Sequence, residues 1–94
     1  MIKMKMHEVF GVLNQHMGID YHIGRIHRWK YRIYRKGHPV AAVTLDEEST
    51  IVHIVEGTNF ASNREGPVLA RIARELSSRA KLIYSGSYHP LEQI

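Results

Sequence analysis

The chain contains no cysteine, which removes disulfides, thiolate metal sites and cysteine nucleophiles in one step. Whatever core it forms is held by burial alone. No uncharged apolar run approaches the ~18 residues that a membrane span requires. Met1 to Met17 is a charged amphipathic pattern rather than a leader with an apolar centre and a small-residue cleavage site. The expectation is a soluble, cytoplasmic protein with no membrane partner. Internal repeats and low-complexity tracts are also absent.

The most informative absence is local. Between Asp20 and Asp46 there is no acidic residue, yet Arg25, Arg28, Lys30, Arg32, Arg35 and Lys36 all fall in that gap. Six of the thirteen Lys and Arg residues therefore crowd into twelve consecutive positions. A formal net charge of +4 suits a polyanionic partner, and the clustering says where such a partner would touch.

The apolar fraction of 44% and charged fraction of 23% are those of an ordinary packed chain, and 94 residues suffice for one domain with one core. Met6, Val9, Phe10, Leu13 and Met17 recur at spacings of three and four, which predicts a helix over Lys3 to Met17. Gly18 reads as its left-handed stop, and Gly11 as a point where another backbone passes close. The period then changes to two. Tyr21 to Arg35 reads as one long strand with a bend or bulge near Gly24, Arg25 and His27. Ile23, Trp29, Tyr31 and Ile33 share one side of it, and Arg28, Lys30, Arg32, Tyr34 and Lys36 share the other.

Arg35-Lys36-Gly37-His38 offers glycine where a short hairpin needs positive φ. Val40 to Leu45 and Thr50 to Val55 read as the next two strands, joined by the polar turn Asp46 to Ser49, and Gly57 to Gly66 as a loop. A second helix is expected from Pro67, burying Leu69, Ile72, Ala73 and Leu76 and turning Arg71, Arg74 and Arg79 outward. The pattern predicts an α+β two-layer sandwich: helix, three-strand antiparallel meander, helix, with a short fourth strand at Lys81 to Tyr84 as an option. Residues 1–84 form the single domain and 85–94 a C-terminal tail. Trp29, Tyr31 and Ile33 are either core beneath the helices or, on the opposite assignment, an exposed aromatic patch for a partner.

The element order over Lys3 to Arg79 resembles the double-stranded RNA-binding fold and, more loosely, the small HicA-type toxins with the same topology. The resemblance implies the two-layer fold. In that RNA-binding family a lysine-rich start of the second helix grips phosphates. Here that place reads Asn63-Arg64-Glu65-Gly66-Pro67, so no functional residue is carried over.

Function follows from the basic stripe. Alternate residues on a strand stand ~6.5–7 Å apart, the scale of successive phosphates along a nucleic-acid strand. Arg28, Lys30 and Arg32 supply charge at that spacing, Lys36 adds a cation further along the same side, Tyr34 supplies an aromatic surface, and Arg71 and Arg74 add cations from the second helix. The leading expectation is a non-enzymatic module binding RNA or DNA. A competing one is an interaction or inhibitor module, with a homodimer included, that meets a protein through its open sheet face or a strand edge. A third is a binder of a nucleotide-like anion, held by the open face with Arg64 and Arg71. The seven histidines show no H-x-H or H-E-x-x-H spacing, and Glu56 is the one carboxylate placed at a rim. No metal, cofactor or catalytic residue is expected.

Overall fold

The computed structural model describes residues 3–92. Its elements are α1 (Met6–His16), β1 (Tyr21–His27), β2 (Lys30–Arg35), β3 (His38–Asp46), β4 (Ile51–Glu56), α2 (Ser62–Ser77) and β5 (Lys81–Ser85), followed by a single 3-10 turn at Pro90–Glu92. The sheet runs in the order β1-β2-β3-β4-β5. The first four strands pair antiparallel, and β5 joins β4 in parallel after the α2 crossover. The architecture is α+β, but the meander has four strands rather than three, and the sheet five.

The extra strand comes from dividing the expected long one. Arg28 and Trp29 form a two-residue turn between β1 and β2, with His27 opposite Lys30. Neither turn residue takes positive φ, so the glycine or asparagine that marks a primed hairpin turn is not needed. The register shifts between Arg25 and His27, leaving Ile26 as an extra residue. Beyond it, odd-numbered residues of β1 face odd-numbered residues of β2: Tyr21 opposite Arg35, Ile23 opposite Ile33, Arg25 opposite Tyr31. An unbulged two-residue hairpin would pair odd with even.

At the other end of β2, Lys36 (φ 50°) and Gly37 (φ 82°) both take positive φ, which is the two-residue hairpin expected at Arg35 to His38. A second bulge follows, since Tyr34 pairs with Pro39 while Ile33 pairs with Ala41. The skipped Val40 is thereby buried together with Ala41.

Alternate residues of the strands, Ile33, Ala41, Val43, Leu45, Val52 and Ile54, meet Met6, Val9, Val12 and Leu13 of α1 and Leu69, Ile72, Ala73 and Leu76 of α2 in one core. Both helices thus cover the same sheet face, and the other face is open. The helices are also tied to each other. His16 Nε2 lies 2.8 Å from Glu75 Oε1, and Arg79 pairs with Glu8.

Several helix details differ from the sequence pattern. α1 is shorter than Lys3 to Met17. Phe10 lies not in the buried stripe but at its edge, 38% exposed, with its ring 5.4 Å from Tyr31. Met17 ends the helix in an extended conformation, and Gly18 is not left-handed. Nothing lies within 4 Å of a Cβ placed on Gly11, so no close backbone explains that glycine.

α2 begins at Ser62, five residues before Pro67, which sits inside the helix. Its start is held by Glu65, whose Oε1 accepts from Ala61 N at 2.7 Å. Proline there removes one bond to the Asn63 carbonyl. Asn63 is exposed, so water can take up that group.

Candidate nucleic-acid interface

The open face is built by the strand residues that point away from the helices. Three rows cross it. One runs Gly24, Arg32, Ala42, Val55, Ser85, the second Lys30, Thr44, His53, Ile83, with His27 opposite Lys30 at the edge, and the third Asp46, Ile51, Lys81. Beyond the first row His22 faces Tyr34. Lys30, Arg32 and Tyr34 therefore share one surface, as their alternation requires.

Arg28 and Lys36 do not lie on that surface as strand residues. They occupy the two turns at opposite ends of β2, extending the cationic line lengthwise rather than across the face. Arg71 and Arg74 are exposed on α2, on the far side of the helical layer, so a ligand lying on the sheet does not meet them. Arg64 and Arg71 likewise belong to the helical side.

The middle of the face is low. Gly24 and Ala42 flank Arg32 on neighbouring strands, and both are small. A Cβ on Gly24 would lie 3.0 Å from Tyr34 Cε2, which shows that the Tyr34 ring leans across β1 into the space this glycine leaves. The His22 and Tyr34 rings are 6.2 Å apart and tilted by 37°. His53 Nε2 lies 2.7 Å from Ser85 Oγ. Val55 and Ile83 are diagonal neighbours on β4 and β5, 38% and 41% exposed.

Trp29 departs most from its expected place. It is not core but 48% exposed at the β1–β2 turn. The Arg28 guanidinium carbon lies 5.1 Å from its ring centroid, and its indole meets the His27 ring edge-on at 6.3 Å. Its backbone N–H donates to His27 Nδ1 at 3.3 Å. Alternation assigns Trp29 inward with Tyr31 only if the strand is continuous. The turn breaks that rule.

Among the described residues, carboxylates are sparse on the strands of the open face and gather at the β3–β4 turn, where Asp46, Glu47 and Glu48 share a cleft with Arg28 and Trp29. Asp46, at the end of β3, is the one acid at an open-face strand position, and its Oδ1 accepts from the amides of Glu48 (3.1 Å) and Ser49 (3.2 Å). Glu47 accepts from Met6 N at 2.9 Å, on the helix side. Glu48 is exposed beside Arg28 and Trp29 in the cleft where the β1–β2 and β3–β4 turns meet.

Two further acids are engaged on the helix side. Glu65, 3% exposed, accepts from Tyr21 OH (3.2 Å) and Arg64 Nε (2.7 Å) and faces Arg35 Nε at 3.3 Å. Burial first, then the adjacent Glu65 carboxylate, push the Tyr21 phenol above its ordinary range, so it remains a donor. The gap beside this cluster is about 10 Å³, room for at most about one water, so it is no small-molecule pocket.

Glu56, expected at a rim, instead fastens the C-terminal segment. It accepts from Tyr84 OH (2.5 Å), Tyr88 N (2.8 Å) and Ser87 N (3.2 Å). Burial alone would raise its pKa, but these hydrogen bonds together outweigh burial and hold it below the usual carboxylate value. The Tyr84 phenol is raised by burial and by the same carboxylate. Tyr88 then packs on Phe60, ring centroids 5.9 Å apart, and against Gly66, where a Cβ would come within 2.9 Å of its ring.

Among the described residues no three histidines or carboxylates converge to hold a metal, and no helix is long and apolar enough to cross a membrane. Comparison with protein-family models, curated proteins and solved structures gives no match.

Proposed function

We propose that the protein is a nucleic-acid-binding module whose ligand lies on the open sheet face along β2. The observation that supports this most is the segregation of charge. Lys30 and Arg32 stand on a surface whose only strand carboxylate, Asp46, is turned into its own loop, and Arg28 and Lys36 prolong the line at both ends. Phosphate contacts from such a line give affinity without sequence preference, while the half-buried Tyr34 offers a face to a base.

Charge reversal tests the placement. Lys30→Glu with Arg32→Glu abolishes binding of a labelled oligonucleotide, whereas Arg71→Glu, on the helical side, leaves it nearly unchanged. Equal loss in both variants would mean that net charge, not this face, draws the ligand.

A second reading has an observation of its own. The exposed pair Val55 and Ile83, beside the His53–Ser85 contact, forms the apolar part of the same face, and β1 leaves an unpaired strand edge. Either fits a protein partner or a second copy. A dimer that persists at high salt would favour this reading, because apolar association is not screened.

A further inference from the structure

We propose that the ligand is single-stranded, and that its bases stack at two histidine–aromatic stations at the ends of the β1–β2 hairpin. This inference rests on the nucleic-acid reading above. One station is His22 with Tyr34, and the other is His27 with Trp29. Lys30 and Arg32 lie between them.

The spacing fits this ligand. From Lys30, which follows Trp29 out of the turn, to Tyr34 is four strand steps, ~13 Å at ~3.3 Å per residue, or about two steps of an extended nucleic-acid strand at ~6–7 Å each. Lys30 and Arg32 fall at the phosphate spacing within that interval. Each ring also has neighbours in the free protein. Tyr34 leans into the gap over Gly24. Trp29 is steadied by the His27 edge and by Arg28 near its ring. Contacts that restrict a ring lower the entropic cost of stacking on it.

A duplex does not fit the same residues. Its bases are already stacked and paired, so it would offer only phosphates, and the tyrosine and tryptophan would contribute nothing. Unpaired bases have a π-face for each ring, whatever the sequence, and the cation beside Trp29 adds to that attraction. An indole left 48% exposed at a turn, outside the core, thereby acquires a role.

Trp29 is the single tryptophan of the chain, so its fluorescence reports on one station directly. The experiment titrates an eight-nucleotide single strand, an abasic strand of the same length and a duplex into the wild type, following both tryptophan emission and ligand anisotropy. Anisotropy is repeated with Trp29→Ala and Tyr34→Ala, after urea unfolding confirms that both fold. The expected result is quenching by the base-bearing single strand, at least about tenfold weaker binding of the abasic strand, and a loss of about tenfold in each variant. The salt slope stays unchanged in both variants, because no cation has been removed.

Equal affinity for the abasic strand or the duplex, with Trp29→Ala neutral while Arg32→Glu abolishes binding, would overturn the stacking proposal and leave a face that reads phosphates only. Failure of all three ligands to bind at low salt would overturn the nucleic-acid reading as well and point to a protein partner.

Discussion

Replacing Glu65 by alanine is a severe test of how this fold is held. The carboxylate is 3% exposed and joins three elements: it accepts from Ala61 N at the start of α2 and from Tyr21 OH on β1, and it faces Arg35 Nε of β2 at 3.3 Å as an ion pair without a hydrogen bond, besides accepting from its neighbour Arg64. Losing the acceptor of a helix-starting amide costs ~1 kcal/mol. The Tyr21 hydroxyl, half-buried, adds ~1 kcal/mol. Arg35 keeps about a fifth of its side chain in solvent (22%), so its stranded charge costs well under the ~3–5 kcal/mol of a fully buried pair, about 1–2 kcal/mol. Arg64, at 46%, lies on the surface and contributes little. The expected loss is about 3–4 kcal/mol, measured by urea denaturation as a lower midpoint with an unchanged slope. Glu65→Gln keeps the volume and one acceptor oxygen and is expected to lose about half of that. A Glu65→Ala loss below ~1 kcal/mol would mean that the three elements are held by apolar burial alone.

Gly11→Ala stabilises by up to ~1 kcal/mol, since the helical position is exposed and its Cβ space is empty. Gly57→Ala costs ~1–3 kcal/mol, because its Cβ would lie 2.8 Å from the Pro39 carbonyl oxygen and 3.0 Å from the Val40 carbonyl carbon, both backbone atoms. Thermal unfolding of the two variants tests these opposite signs. Glu56 has a depressed folded-state pKa, so the stability it lends is present above its ordinary value of 4.5 and is lost as pH falls through the lower folded value. The Ser87 and Tyr88 amide resonances should shift in that acid window, and absence of any change there would contradict the clamp. Glu48→Lys, exposed beside Arg28 and Trp29, is expected to tighten oligonucleotide binding several-fold at low salt. An unchanged affinity would place the ligand away from that end of β2.

The legible parts of the fold were those with local chemical signatures. Gly37 announced its hairpin because a primed turn requires positive φ, and both of its central residues have it. Leu69, Ile72, Ala73 and Leu76 announced the buried stripe of α2. The β1–β2 turn had no such signature, and the bulge at Ile26 hid it further. By restoring odd-to-odd pairing, the bulge let Ile23, Tyr31 and Ile33 keep one uninterrupted alternation through two strands. That continuity assigns Trp29 and Arg28 to strand faces, whereas both lie in the turn between β1 and β2.

The start of α2 was obscured by Pro67, which masked the reach-back of Glu65 to the Ala61 amide. Long-range pairings left no local mark. Tyr21 and Glu65 are 44 positions apart, and only a shared burial unites them. At the candidate site, alternation was enough to put Lys30, Arg32 and Tyr34 on one face. Assigning Arg71 and Arg74 to a different side required knowing that both helices cover the same face of the sheet.

The salt dependence of oligonucleotide binding, with and without the cations of the open face, is the most direct measurement. If Arg28, Lys30, Arg32 and Lys36 each meet a phosphate, a single strand should show a log–log slope of about −2.8 and lose about fiftyfold in affinity between ~50 and ~200 mM salt. Lys30→Gln with Arg32→Gln should halve that slope to about −1.4 and reduce the loss to about sevenfold. A wild-type slope near zero, or a slope that the double substitution leaves unchanged, would contradict a nucleic-acid site on this face.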